Sequence, residues 1–372
     1  MSTKLRSLFI MLALLAGVHP VLAQPALGIV PTNNQAILFW PITGHGTNGD
    51  LLSATDLVSQ NWLSVTDAFQ VNYGSQIAVS VTNVSAARFF RLSLIPPTAD
   101  GMALIPAGAF TMGDTLDGES DAIPTNVTVS AFYMDTNLVS YSRWLTVYNW
   151  ATANGYDFDS AGSGKAANHP VQMVNWYDVV KWSNARSQQV GLTPVYYTDA
   201  GLTHVFTNGD VVPYVNWSAS GYRLPTEAEW EKAARGGLSR QRFPWGNKIS
   251  ESQANYPSDG DYSYDLGPSG NNAIGMIGGL PFTSPVGSFA ANGYGLYDMA
   301  GNVEEWCWDW YGTPYGQPTT TNPTGPATGS YHVSRGGDWG SGAVTARCAN
   351  RVYIIPSNDH LNFIGFRCVR GL

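Results

Sequence analysis

Between Asn292 and Gly312 the chain reads NGYGLYDMAGNVEEWCWDWYG. Asp298, Glu304, Glu305 and Asp309 all fall in that stretch, although only 12% of the residues are charged. Two chemistries use closely spaced carboxylates. One is glycosidic hydrolysis, which needs two carboxyl groups flanking one bond. Glu304 and Glu305 do not meet that need, because neighbours in an extended segment point to opposite faces. The other is a hard cation site. Calcium takes about six to eight oxygens from carboxylates and backbone carbonyls. A glycine-bearing turn aims carbonyls inward while one acid balances the charge, and DMAGNVEE supplies such material. Composition alone favours a plainer alternative, a tight hydrogen-bonded turn.

Other chemistries find less support. His45, His169, His204, His332 and His360 are scattered, with no pair at the helical spacing of a zinc site. No G-x-S-x-G elbow is present. The cysteines are Cys307, Cys348 and Cys368. In an oxidising compartment one pair would close and one thiol would remain. Spacing does not fix the connectivity, and Cys348 with Cys368 is the preferred pair.

The elements that must position these residues fall into two textures. Residues 1–23 read as an export signal: Lys4 and Arg6, the apolar run LFIMLALLAGV, then VLA before Gln24. The mature chain is then periplasmic or secreted, with no later segment long and apolar enough to span a bilayer. Residues 24–97 hold short β-branched and aromatic runs between Gly, Asn, Asp and Ser turns, which predicts a small all-β module of about five strands. IPPTADG marks the boundary. From there to residue 371 the pattern is α+β, irregular and loop-rich. Helices are predicted from Ser140 to Gly155 and from Asn175 to Gly191. A third follows Thr226, with Glu229 as capping-box partner and Gly236 past its end. Residues 251–285 carry few regular signals. Forty glycines fit a backbone that often needs positive φ. A net charge of −8 with no basic cluster excludes nucleic acid and anionic membrane surfaces as partners.

Seven ordered segments from Gly101 onward resemble the formylglycine-generating enzyme, or sulfatase-modifying-factor, family. They are GMALIPAGAFTMGD, HPVQMVNWYDVVKW, YRLPTEAEWEKAARGG, FPWGN, PVGSFAANGYGLYDMAGNVEEW, SRGGDW and GFRCVR. The resemblance covers residues 101–371 and implies an irregular, C-type-lectin-like fold. It also implies a structural calcium held by the carbonyls of Asp298, Gly301 and Val303 and the carboxylate of Glu305. A second family calcium site is matched at Asn255 and Tyr256, but Gly278 stands where its later acid belongs.

Catalytic members hold copper(I) with two cysteines shortly after a segment like RGGDW, because the soft ion prefers thiolates. Here Ser341 stands near the first of those positions, and no cysteine lies between Gly337 and Cys348. The resemblance therefore does not carry copper over. Asp338 replaces a usual serine, and Glu304 a usual tryptophan. The expectation is an exported, calcium-stabilised binding or recognition module for a peptide, glycan or protein. Its groove would be lined by Arg335, Asp338, Trp339 and Ser341, with Glu304 and Trp306 nearby. The alternatives are a formylglycine-generating oxidase acting on sulfatase cysteines and an accessory protein of an exported assembly.

Overall fold

A computed structural model describes the backbone of seven strands before residue 96. It also describes residues 101–372, apart from 314, 316–319 and 354. The export signal lies outside the described residues. Contacts divide the chain into two units, Met1–Pro97 and Thr98–Leu372.

In the first unit the strands are β1 (Gly28–Thr32), β2 (Gln35–Pro41), β3 (Asn48–Ala54), β4 (Leu63–Ser64), β5 (Ala68–Tyr73), β6 (Gln76–Thr82) and β7 (Phe89–Ile95). They pair antiparallel into one sheet ordered β1-β2-β6-β5 and another ordered β4-β3-β7.

The second unit has short strands and few helices. Strand β8 (Met102–Ile105) pairs with β11 (Phe132–Asp135), and β9 (Gly108–Met112) with β10 (Thr125–Val129). Helices α1 (Tyr141–Ala153) and α2 (Trp176–Gln189) follow, then the pair β12 (Tyr196–Tyr197) and β13 (Tyr214–Val215). Next come α3 (Glu227–Ala234) and the single turn α4 (Ala273–Met276), the one helix within residues 251–285. The last strands are β14 (Glu304–Trp310), β15 (His332–Arg335), β16 (Ile364–Gly365) and β17 (Val369–Gly371). Strand β14 lies between β15 and β16, and β11 lies between β8 and β17.

Capping chemistry sets the helix starts. The Ser140 hydroxyl accepts from the Arg143 N–H, and the Asn175 side chain from that of Asp178. Thr226 and Glu229 close a full capping box on α3. Gly155, Gly191 and Gly236 take positive φ just beyond the three ends, the residue type that makes that conformation cheap. Helix α1 buries one stripe, Trp144, Val147 and Ala151, while α2 and α3 are buried on nearly every side. The core is aromatic: Trp144 and Trp182 stack at 5.7 Å, and Phe366 meets both edge-on.

The preferred Cys348–Cys368 disulfide does not form, and all three cysteines are free and buried. Cys368 packs with Trp182 and Phe366, 3.6 Å from the Ser183 hydroxyl. Cys307 and Cys348 belong to a different apolar cluster, around α3. Sequence spacing carries no information about which cluster each thiol enters.

Candidate functional site

The four acids of the Asn292–Gly312 stretch have four separate environments. As the alternation of an extended strand requires, Glu304 and Glu305 at the start of β14 diverge. The Glu305 carboxylate lies in a two-pronged ion pair with Arg367, at 2.7 and 2.9 Å. Asp309 accepts the Glu227 N–H at 2.8 Å, placing an acid at the N-terminus of α3. Asp298 accepts the Gly287 N–H at 2.7 Å through Oδ2, and its buried Oδ1 has no hydrogen-bond partner. Burial pushes the Asp298 carboxyl up to about 6. The turn itself is conformationally costly: Asp298, Gly301 and Asn302 all have positive φ. Non-glycine residues hold that conformation only where surrounding structure enforces it.

Glu304 faces the loop that follows β15. The Ser334 hydroxyl donates to its Oε2 at 2.8 Å. Desolvation, reinforced by the nearby Asp338 charge, pushes the Glu304 carboxyl up to about 8. Burial raises Asp338 as well. Asp338 holds its own loop, accepting from the Gly340 N–H and the Ser341 hydroxyl, each at 2.6 Å. Trp339 is half-buried, its indole N–H donates to the Asn362 carbonyl, and Phe282 meets it edge-on at 5.6 Å. The expected groove residues Asp338, Trp339, Ser341 and Glu304 are therefore neighbours.

Two expected members of the groove point elsewhere. Trp306 is fully buried, its indole N–H donating to the Val174 carbonyl. Arg335 is also fully buried, paired with Glu231 and 3.5 Å from Glu227, both on α3. Arg351 adds a two-pronged pair to Glu227, and Arg235 pairs with Glu231. A charge at zero exposure needs such partners, and they turn Arg335 inward. Sequence reading did not identify Glu227, Glu231 or Arg367 as these partners. The alternation of β14 was the available signal that one of Glu304 and Glu305 needs a buried cation.

Whether the residues suit the implied metals can be tested on these contacts. For calcium the turn offers the orphaned Asp298 oxygen, together with the Asp298 carbonyl and the Glu305 carboxylate, which keep lone pairs beyond those bonded to Arg367. The second calcium position does not fit. Asn255 donates its amide to the Phe282 carbonyl, and Tyr256 donates to Asp265. The Lys165 ammonium donates to the Gly275 carbonyl, with its Cε against Gly278. Copper does not fit either. All three cysteines are buried, and desolvation raises each thiol, Cys348 to about 12 and Cys368 to about 11. His332 suits a structural role. His332 is stacked between Trp176 and Trp310, and burial pushes it down to about 3.

Two cavities of about 510 Å³ lie elsewhere, one beside Phe110, Lys232 and Tyr294, the other beside Arg143, Arg186 and Tyr222. No described helix is long and apolar enough to cross a membrane.

Comparison with known proteins identifies the family. Among curated proteins, the chain is 33% identical over 315 residues to the formylglycine-generating enzyme of Mus musculus, covering 77% of this chain and 82% of that one. It is 33% identical to the chaperone protein LppX of Paenibacillus barcinonensis, covering 67% and 81%. Among solved structures, Treponema denticola variable protein 1 superposes with a TM-score of 0.56 at 26% identity, covering 82% of this chain and 99% of its own. The model of the sulfatase-modifying factor enzyme 1-like domain matches residues 93–372, and the chain belongs to that family.

Proposed function

We propose that the chain is an exported member of the family that binds a peptide or protein segment instead of oxidising one. A calcium ion would brace the turn beneath the binding surface. The observation that carries this reading is the loop after β15: Ser341, near the position where the resemblance places the first oxidase thiolate, donates to Asp338, and every cysteine is sealed in the core. Serine is a poor ligand for copper(I) and does not take part in thiol redox chemistry. Phe282 meets Trp339 of that loop edge-on, and Ile277 and Leu280, five and two residues before Phe282 in the chain, are 72% and 68% exposed. A half-buried indole packed on Phe282, with exposed apolar residues in the same segment as Phe282, suits an apolar side chain of a bound segment. LppX, named as a chaperone, is a relative whose name is compatible with holding another protein.

The test pairs two measurements on the mature chain. Copper(I) titration under reducing conditions, with oxygen uptake on a sulfatase-motif peptide, should give neither stoichiometric binding nor oxidation. A peptide array should give ligands whose binding falls at least about ten-fold in Trp339→Ala, the loss of one well-packed interface aromatic. Copper binding with peptide oxidation overturns the reading. Calcium is tested separately: chelation should lower the Tm of the wild type and leave Glu305→Ala unchanged, because a ligand specific to the folded state stabilises it. Equal Tm with and without chelator refutes the ion.

A further inference from the structure

A second group of ligand-type side chains lies away from the groove. Asp159 is on the loop after α1, Asp178 is in the first turn of α2, and His360 is on the loop before β16. Each offers a ligand atom, and these atoms lie within 4.8 Å of one another. We propose that Asp159, Asp178 and His360 bind one divalent first-row transition-metal cation, with zinc the best match.

The atoms are apportioned for it. Asp178 is fully buried, and its two oxygens face different ways. Oδ1 takes the Lys181 ammonium at 3.2 Å and the Asp159 N–H at 2.9 Å. Oδ2 takes one backbone N–H, that of Ser160 at 3.0 Å, and keeps a lone pair towards His360. The His360 Nε2 is 3.7 Å from Oδ2, too far for a hydrogen bond, and it is buried without a partner. Two ligands held about 2.1 Å from a zinc ion at near-tetrahedral angles are about 3.4 Å apart, so small side-chain shifts complete the geometry. Asp159 is solvent-exposed and supplies the third ligand and the entry path.

Charge points the same way. Asp159, Asp178 and Asp210 carry three negative charges when all are ionised, and Asp210 joins the cluster through Lys181, 3.8 Å from its Oδ1. Lys181 is the cation paired with Asp178 and Asp210. The surplus is two negative charges, the charge that one divalent ion neutralises. The donor set, one imidazole with carboxylates, selects a borderline metal over calcium, which prefers oxygen alone. With three protein ligands the ion would keep an open position for water or a partner group. The His360 loop also reaches the groove, since the Asn362 carbonyl accepts from Trp339.

The test uses the metal-stripped full chain without an affinity tag. Calorimetric titration should show one zinc per chain, and cobalt(II) at the same site should give the visible absorption of a low-coordinate N/O complex. His360→Gln should weaken zinc at least about ten-fold, a loss no smaller than that of an outer-shell partner, and the cobalt spectrum should change. Asp159→Asn, at an exposed position, serves as a second ligand variant should His360→Gln fold poorly. Absence of zinc binding, or equal affinity in both variants, overturns the proposal. Loss of calcium stabilisation in Glu305→Ala alone leaves this site intact, so the two metal readings fail independently.

Discussion

Replacing Glu304 by Gln should stabilise the protein at neutral pH, although it removes a hydrogen-bonded acid. The Glu304 carboxyl is 3% exposed and is pushed from its ordinary value of 4.5 up to about 8 by burial and by Asp338. In the unfolded chain the acid ionises at the ordinary value. Between pH 4.5 and 8 the folded state therefore keeps a proton that the unfolded state releases. Stability falls as pH rises through that window, by about 1.4 kcal/mol per pH unit, and the slope ends above pH 8. At pH 7 the cost is roughly 3 kcal/mol, the slope taken over two and a half pH units. Glutamine cannot ionise, keeps an acceptor for the Ser334 hydroxyl and has nearly the same volume. Glu304→Gln should thus match wild type near pH 4.5 and exceed it by about 3 kcal/mol at pH 7, or about 6 °C in Tm for a domain of this size. Denaturant unfolding of both proteins across pH 4.5 to 8.5 measures the difference. Parallel curves, or a glutamine variant less stable than wild type at pH 7, would refute the assignment of Glu304 as a desolvated acid.

Three further outcomes follow from the same contacts. Arg335→Ala strips the buried Glu231 of one of its two arginine partners, leaving Arg235 alone, and should cost about 3 kcal/mol in equilibrium unfolding. Gly301→Ala puts a Cβ 2.3 Å from the Asn255 carbonyl oxygen at φ +75°, so unfolding measurements should show a loss of more than about 2 kcal/mol. Thr226→Ala breaks one half of the capping box, and a loss of about 1 kcal/mol in the same assay is expected.

The helices were legible because their signals are local. Ser140, Asn175 and Thr226 mark starts by side-chain chemistry, and Gly155, Gly191 and Gly236 mark ends by backbone freedom, so neither requires knowledge of distant residues. The site was only partly legible, for the opposite reason. Asp338, Trp339 and Ser341 sit together because they are near in sequence, whereas the fate of Arg335 depends on Glu231, 104 residues away. An arginine beside a candidate groove looks the same in sequence whether it faces solvent or the core, and only the tertiary partner decides. His360 shows the converse. It has no histidine or acid at a metal-site spacing, yet folding brings its Nε2 to the free edge of Asp178. Chemistry built from one chain segment can be read along the sequence, and chemistry built from three segments cannot. The Asp159–Asp178–His360 cluster is of the second kind, so zinc titration bears on a property that no local motif could have announced.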